Sequence, residues 1–293
     1  MKTNWFARII GIAWRGLCVG LAYLVGLMAS GILLGMLGLI KPTSGSSSVS
    51  LVWLFLAAVV IGLTLGPIAQ QLTVSRGRHL LIWSSIIFFN LASVMIEGAF
   101  FAPALVPIPL PALALQQLLA TLVAGLAITV LFAPAPLAAQ PLSVSVRRPW
   151  YDWAWRFVVS SFSYLVLYLG VGGINYNLVT QPYYATHAGG LVVPPAMTVW
   201  LIESVRAPLI VLSVLFFLLA SRPGRRTTVL TGLILFMVGG VAPLLLQAGT
   251  LPTVLLVASA VEIFFQNFLA GVVAAILLGL PNKAAANLAA ATI

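Results

Sequence analysis

LVWLFLAAVVIGLTLGPIAQQLT, residues 51–73, runs for 23 residues without a charged side chain. Coiled as a helix at ~1.5 Å per residue it reaches about 34 Å, enough to cross a hydrocarbon core of about 30 Å. Its apolar side chains lie on every side of such a helix, so no face is left for water. Seven more stretches meet the same requirement, near 12–39, 79–102, 111–133, 152–175, 197–220, 227–248 and 252–280. Each is continuous and too long for the alternating segments of a membrane barrel. The reading is an all-α polytopic membrane protein with eight transmembrane helices.

Composition points the same way. Of 293 residues 62% are hydrophobic and 6% charged, against roughly 25% charged in a soluble domain. Eighteen ionisable Lys, Arg, Asp and Glu side chains cannot clothe a soluble fold of this size, so the lipid bilayer is the expected partner for most of the surface. The net charge of +10 does not indicate nucleic acid, because the basic residues form small groups between apolar runs instead of one basic face. With the N-terminus inside, Lys2, Arg8, Arg15, Arg76, Arg78, Arg147, Arg148, Arg156, Arg222, Arg225, Arg226 and Lys283 fall on one side, and Lys41 alone on the other. The positive-inside rule then predicts cytoplasmic N- and C-termini (N-in/C-in) in a bacterial inner membrane. The basic start up to Arg15 resembles a signal peptide, yet the apolar stretch behind it exceeds an h-region and reads as a retained first span.

The linker 133–149 divides the chain into two units, residues 1–140 and 141–293, and the units resemble each other. Ala13 to Ile32 (AWRGLCVGLAYLVGLMASGI) aligns without gaps to Ala154 to Gly173 (AWRFVVSSFSYLVLYLGVGG), with Trp, Arg and Tyr in register. Val52-Trp53-Leu54 pairs with Val199-Trp200-Leu201, and SRGR at 75–78 with SRPGRR at 221–226. Four spans per unit make this a parallel 4+4 internal repeat about an axis along the membrane normal.

A charge inside a span costs at least ~2.5 kcal/mol, so the four that occur single themselves out: Glu97, Glu203, Arg206 and Glu262. Counted inward at ~1.5 Å per residue they lie roughly 9 to 17 Å below the outer surface. Helical spacing extends them into stripes: Asn90, Ser93 and Glu97; Glu203, Arg206 and Ser213; Ser259, Glu262 and Gln266. The repeat positions matching Glu203 and Arg206 are Leu56 and Val59, as expected of a site that is built only once, whereas packing glue would have survived in both copies. The expectation is a permease-like or small-ligand-binding protein in which Glu97, Glu203, Arg206, Glu262, Asn90 and Gln266 line a polar pocket open to the outer face. Arg206 would hold a small amphiphilic or anionic ligand, and one Glu would exchange a proton. Two other readings remain beside it. One is an intramembrane enzyme using paired Glu residues on a lipid or isoprenoid. The other is a structural subunit whose outer loop 175–195 meets a membrane partner. In either, polar residues can instead serve as interhelical glue.

Nothing in the sequence implies a cofactor or metal. Cys18 is the one cysteine, and His79 and His187 fall on opposite faces, which leaves no ligand set for zinc. Phosphate-cradling, nucleophile-elbow and HExxH motifs do not occur. No catalytic residue can be named. Arg15 and Arg156 are expected to snorkel to inner headgroups, with Trp14 and Trp155 as interfacial anchors.

Overall fold

A computed structural model describes residues 5–40, 50–103, 108–134 and 148–279. Eight helices are long and apolar enough to cross a membrane: α1 (Trp5–Met36), α2 (Leu51–Ala69), α3 (Arg76–Phe101), α4 (Leu110–Phe132), α5 (Trp150–Ala185), α6 (Ala196–Ala220), α7 (Arg225–Leu246) and α8 (Thr253–Leu278). The architecture is that of an integral membrane protein. Hydrogen-bonding every backbone group within its own segment is the solution a hydrocarbon solvent imposes. Lys2, Lys41, Arg147 and Lys283 lie outside the described residues, as does most of the linker 133–149.

Helix ends depart from the expected bounds in one important place. The fifth helix does not stop at Asn175 but continues to Ala185 through a π turn at Tyr176–Thr180. Half of the expected outer loop 175–195 is therefore helix. Its rings Tyr183 and Tyr184 pack against a small apolar cluster of Ala102, Leu191, Leu251 and Leu255. Further π turns occur at Met237–Val241 in α7 and Phe264–Phe268 in α8. Two of the three precede a proline by two residues, Pro182 and Pro243. There the wider turn accommodates a residue that cannot donate and would clash with the carbonyl four residues back. The α8 turn has no proline to explain it.

Packing follows the small residues. α1 packs on α2 and α4, and α3 on α4; likewise α5 packs on α6 and α8, and α7 on α8. The two groups join where α3 meets α6 and α2 meets α7. Between α1 and α2, a Cβ on Gly62 would sit 2.7 Å from the Gly16 carbonyl oxygen. Between α7 and α8, one on Gly271 would sit 2.7 Å from Gly232 Cα and 2.8 Å from the Thr231 carbonyl oxygen. Such backbone-to-backbone approach supplies the dispersion contact that holds helices together when lipid removes the hydrophobic driving force. Trp83, Tyr164, Phe217, Ile86 and Ile234 fill the buried interior, while Leu21, Val25, Met28 and Ile32 of α1 stay exposed toward lipid.

The described arginines other than Arg206 lie at or near the starts of α1, α3, α5 and α7 or the end of α6, which make up one end of the bundle, the basic end, and some of them do more than snorkel. Arg156 donates to Asp152 at 3.0 Å and to the Leu277 carbonyl at 2.9 Å. Arg148 donates to the Gly279 carbonyl at 2.7 Å. Together they cap the C-terminal end of α8, where unsatisfied carbonyls favour cations. Arg15 lies over the Phe132 ring at 5.9 Å. His79 is buried and structural: its Nδ1 accepts from Trp83 Nε1 at 3.0 Å, leaving Nε2 to donate to the Leu72 carbonyl at 3.2 Å.

Gly271→Val should lower the thermal unfolding midpoint in detergent, reflecting a loss of about 1 to 3 kcal/mol from overpacking. Gly170→Ala, whose added Cβ meets nothing within 4 Å, should leave the midpoint unchanged.

Candidate functional site

Glu203 and Arg206 stand three residues apart on α6, one helical turn, so their side chains share a face. That face is turned inward: Glu203 is 0% exposed and Arg206 3%. The guanidinium Nη1 contacts Glu203 Oε1 at 2.5 Å, and Nη2 contacts Glu97 Oε2 on α3 at 2.6 Å. Nε donates to the Ser93 carbonyl at 2.9 Å. The plane lies 5.4 Å from the centre of the Tyr168 ring on α5, a distance at which the ring quadrupole attracts a cation. Every nitrogen of Arg206 is thus engaged by the protein itself. Pro208, two residues on, removes the amide that would bond the Ser204 carbonyl, so the α6 ladder is interrupted beside the site.

Tyr168 joins the rest. Its hydroxyl donates to Glu97 Oε1 at 3.1 Å, and its backbone carbonyl accepts from Gln266 Nε2 on α8 at 3.5 Å. Gln266 donates also to Glu262 Oε1 at 2.7 Å, and Asn175 of α5 donates to Glu262 Oε2. The close passage of α5 past these groups requires Gly172, whose Cβ would lie 3.0 Å from Glu262 Oε1. The π turn of α8 carries Gln266 toward α5 and Asn267 toward α7, where Asn267 Nδ2 donates to the Leu235 carbonyl at 3.1 Å. π turns often occur at functional sites.

Asn90 belongs to a neighbouring layer. It donates to Ser213 Oγ at 3.0 Å and to the Ile86 carbonyl at 2.8 Å, and its Oδ1 lies against Gly239 of the α7 π turn. Asn267 Nδ2 approaches the same glycine. Three buried polar atoms of these layers have no hydrogen-bond partner among the described residues: Asn90 Oδ1, Ser93 Oγ and Glu203 Oε2. Buried polar atoms are normally paired, and each exception calls for a water, an ion, a proton or a ligand.

Of the six residues expected from sequence, Glu97, Glu203 and Arg206 are in direct contact, Glu262 and Gln266 are one link away through Tyr168, and Asn90 is bonded only to α6, at Ser213, and to its own helix. Tyr168 and Asn175 were not anticipated. Tyr168 had a visible signal, lying one turn from Tyr164 within the otherwise aliphatic stretch 165–174; Asn175 was hidden by the assumption that the helix ended there. The arrangement sets three carboxylates, Glu97, Glu203 and Glu262, against one guanidinium. Glu97, with 29% of its side chain exposed, is open to the surroundings where Glu203 is not. Among the described residues no three His, Cys, Asp or Glu side chains converge in a way that would hold a metal ion. No family model, no curated protein and no solved structure matches the chain.

Arg206→Met should be strongly destabilising, by about 3 to 5 kcal/mol, because it strands Glu203 in a buried position. Adding Glu203→Leu to it should restore much of the unfolding midpoint in detergent. Equal midpoints for the single and double variants would show that the pair is not energetically linked.

Proposed function

We propose that the chain is a permease-like membrane carrier whose intramembrane cluster takes up a proton or small cation from the outer face. The observation that carries this reading is the imbalance of three carboxylates over one guanidinium in a site where Glu203 and Arg206 are fully enclosed. An uncompensated carboxylate among membrane helices is costly, so charge balance favours neutralising the group from outside. Glu262 is the member suited to exchange, since its partners Asn175 and Gln266 are neutral donors. They can rotate or release without breaking an ion pair. The unpaired acceptors Asn90 Oδ1 and Glu203 Oε2 favour a cationic or proton-bearing guest. An anionic ligand held by Arg206 fits less well, because two carboxylates and a carbonyl already occupy that guanidinium. Entry from the outer face is supported by the partial exposure of Glu97, four residues before the end of α3.

The two four-helix units, residues 1–140 and 141–293, fit a duplicated carrier. In the gapless register of α1 with α5, Leu27 corresponds to Tyr168 and Gly31 to Gly172. Gln116 of α4 donates to the Leu27 carbonyl at 3.1 Å, as Gln266 of α8 does to that of Tyr168. A Cβ on Gly31 would meet Gln116 Nε2, and one on Gly172 would approach Gln266 Nε2. The contacts between units are also reciprocal, α3 with α6 and α2 with α7. These likenesses support a parallel repeat with its seam along the membrane normal. The arginines at the basic end support cytoplasmic termini in a bacterial inner membrane. A subunit role through residues 175–195 is less favoured, since Tyr183 and Tyr184 already pack within the chain.

In proteoliposomes under an imposed proton gradient, uptake of cationic or neutral amphiphilic solutes should fall at least tenfold in Glu262→Gln. Infrared difference spectra between acid and alkaline pH should lose a protonated-carboxyl band in the same variant. Uptake and spectra indifferent to both Glu262→Gln and Arg206→Ala would refute the carrier reading. Product formation from a lipid panel, abolished by the Glu→Gln changes, would replace it with the enzyme.

A further inference from the structure

At the basic end, well away from the acidic cluster, the turn between α6 and α7 folds against the C-terminal end of α8 and encloses a recess of about 240 Å³. Arg148, Ser221, Gly224, Thr227, Thr228 and Gly279 line it. The α7 helix begins at Arg225 behind Gly224, with no side-chain cap and no acidic residue in its first turn. Its first intrahelical bond runs from the Thr228 amide to the Gly224 carbonyl, so the amides of Arg225, Arg226 and Thr227 have no helical acceptor. A bare N-terminus carries partial positive charge and presents donors in the geometry that suits an anion.

A second observation makes this more than an uncapped helix. Ser221, 8% exposed and part of the lining, has a buried hydroxyl with no partner among the described residues. A hydroxyl left idle beside free amides marks a place where an acceptor is missing. The surrounding charge has the sign such an acceptor needs. Arg148 and Arg156 share one carboxylate, Asp152, so two guanidiniums against one carboxylate leave a net +1. Arg222, Arg225 and Arg226 stand exposed on the same turn and helix start.

We infer that this recess binds a phosphate group, with Ser221 Oγ and the Thr227 amide as donors and the arginines as its positive surround. The volume admits a phosphate group but is below the ~300 Å³ at which pockets for larger ligands begin. Its position at the ends of four helices puts it where headgroups of an anionic phospholipid would lie, and juxtamembrane arginines attract such lipids by about 1 kcal/mol each. That gain corresponds to about fivefold in affinity.

The experiment titrates short-chain phosphatidylglycerol, short-chain phosphatidylcholine and inorganic phosphate against the purified full chain in detergent, followed by thermal unfolding. Phosphatidylglycerol should bind at least tenfold more tightly than phosphatidylcholine. Thr227→Glu places a carboxylate in the first turn of α7, where it favours the helix itself but repels an anion. It should leave the lipid-free midpoint unchanged or raised and weaken phosphatidylglycerol about tenfold. Arg225→Gln with Arg226→Gln should weaken it in the same direction, by about fivefold per arginine. Saturable protection by inorganic phosphate, lost in Thr227→Glu and without any response to phosphatidylglycerol, would uphold the phosphate site and make its occupant a soluble one. Equal phosphatidylglycerol and phosphate affinities in wild type and Thr227→Glu, or no preference over phosphatidylcholine together with no protection by inorganic phosphate, would overturn the assignment.

Discussion

A guanidinium buried among membrane helices has to be surrounded before the helices can close, and Arg206 is surrounded from three of them. Its contacts come from Glu203 on α6, Glu97 and the Ser93 carbonyl on α3, and the face of Tyr168 on α5. Removing a full charge from water is expensive enough that this one side chain dictates how α3, α5 and α6 approach one another. The α3–α6 contact is also one of the main junctions between the two halves of the chain. The ionic cluster therefore couples the halves, and a change in its charge state acts on the interface that would move in a carrier.

Around that fixed point the helices are adaptable in particular places. Pro208 interrupts α6 beside Arg206, and a π turn in α8 separates the faces of Gln266 and Asn267 so that one serves α5 and the other α7. The π turns of α5 and α7 have prolines to account for them. The turn of α8 has only the polar site, which is where backbone irregularity is tolerated in membranes because polar neighbours can re-satisfy the freed groups. Away from the site the contacts are glycine-mediated and dry, as between Gly62 and Gly16 or Gly271 and Gly232.

α1 and α4 are tied by neutral hydrogen bonds instead. Tyr23 donates to Gln117 at 2.5 Å and Gln116 to the Leu27 carbonyl. Hydrogen-bonded amides and a phenol suffice to join that helix pair. Carboxylates and a guanidinium in α3, α6 and α8 cost more than such neutral pairs, and the reading proposed above gives them a use.

Solvent preference is written residue by residue, so the sequence by itself determined the eight spans, the clustering of arginines at one end and the identity of the intramembrane charges. Long uncharged runs admit one answer when backbone groups must pair internally. The spacing of Glu203 and Arg206 on one turn was equally legible, since it depends on helix geometry alone. Which charges meet depends on how helices distant in sequence rotate against each other, and only the tertiary structure decided that. It turned Glu97 toward Arg206, drew Glu262 in through Tyr168 and Gln266, and left Asn90 in an adjoining layer. It also carried α5 ten residues past Asn175, making a helix residue of what read as loop, because a π turn lets the chain absorb Pro182 without breaking. Rotation and register in a bundle are set by the small residues and polar partners of neighbouring helices, information that no single span contains.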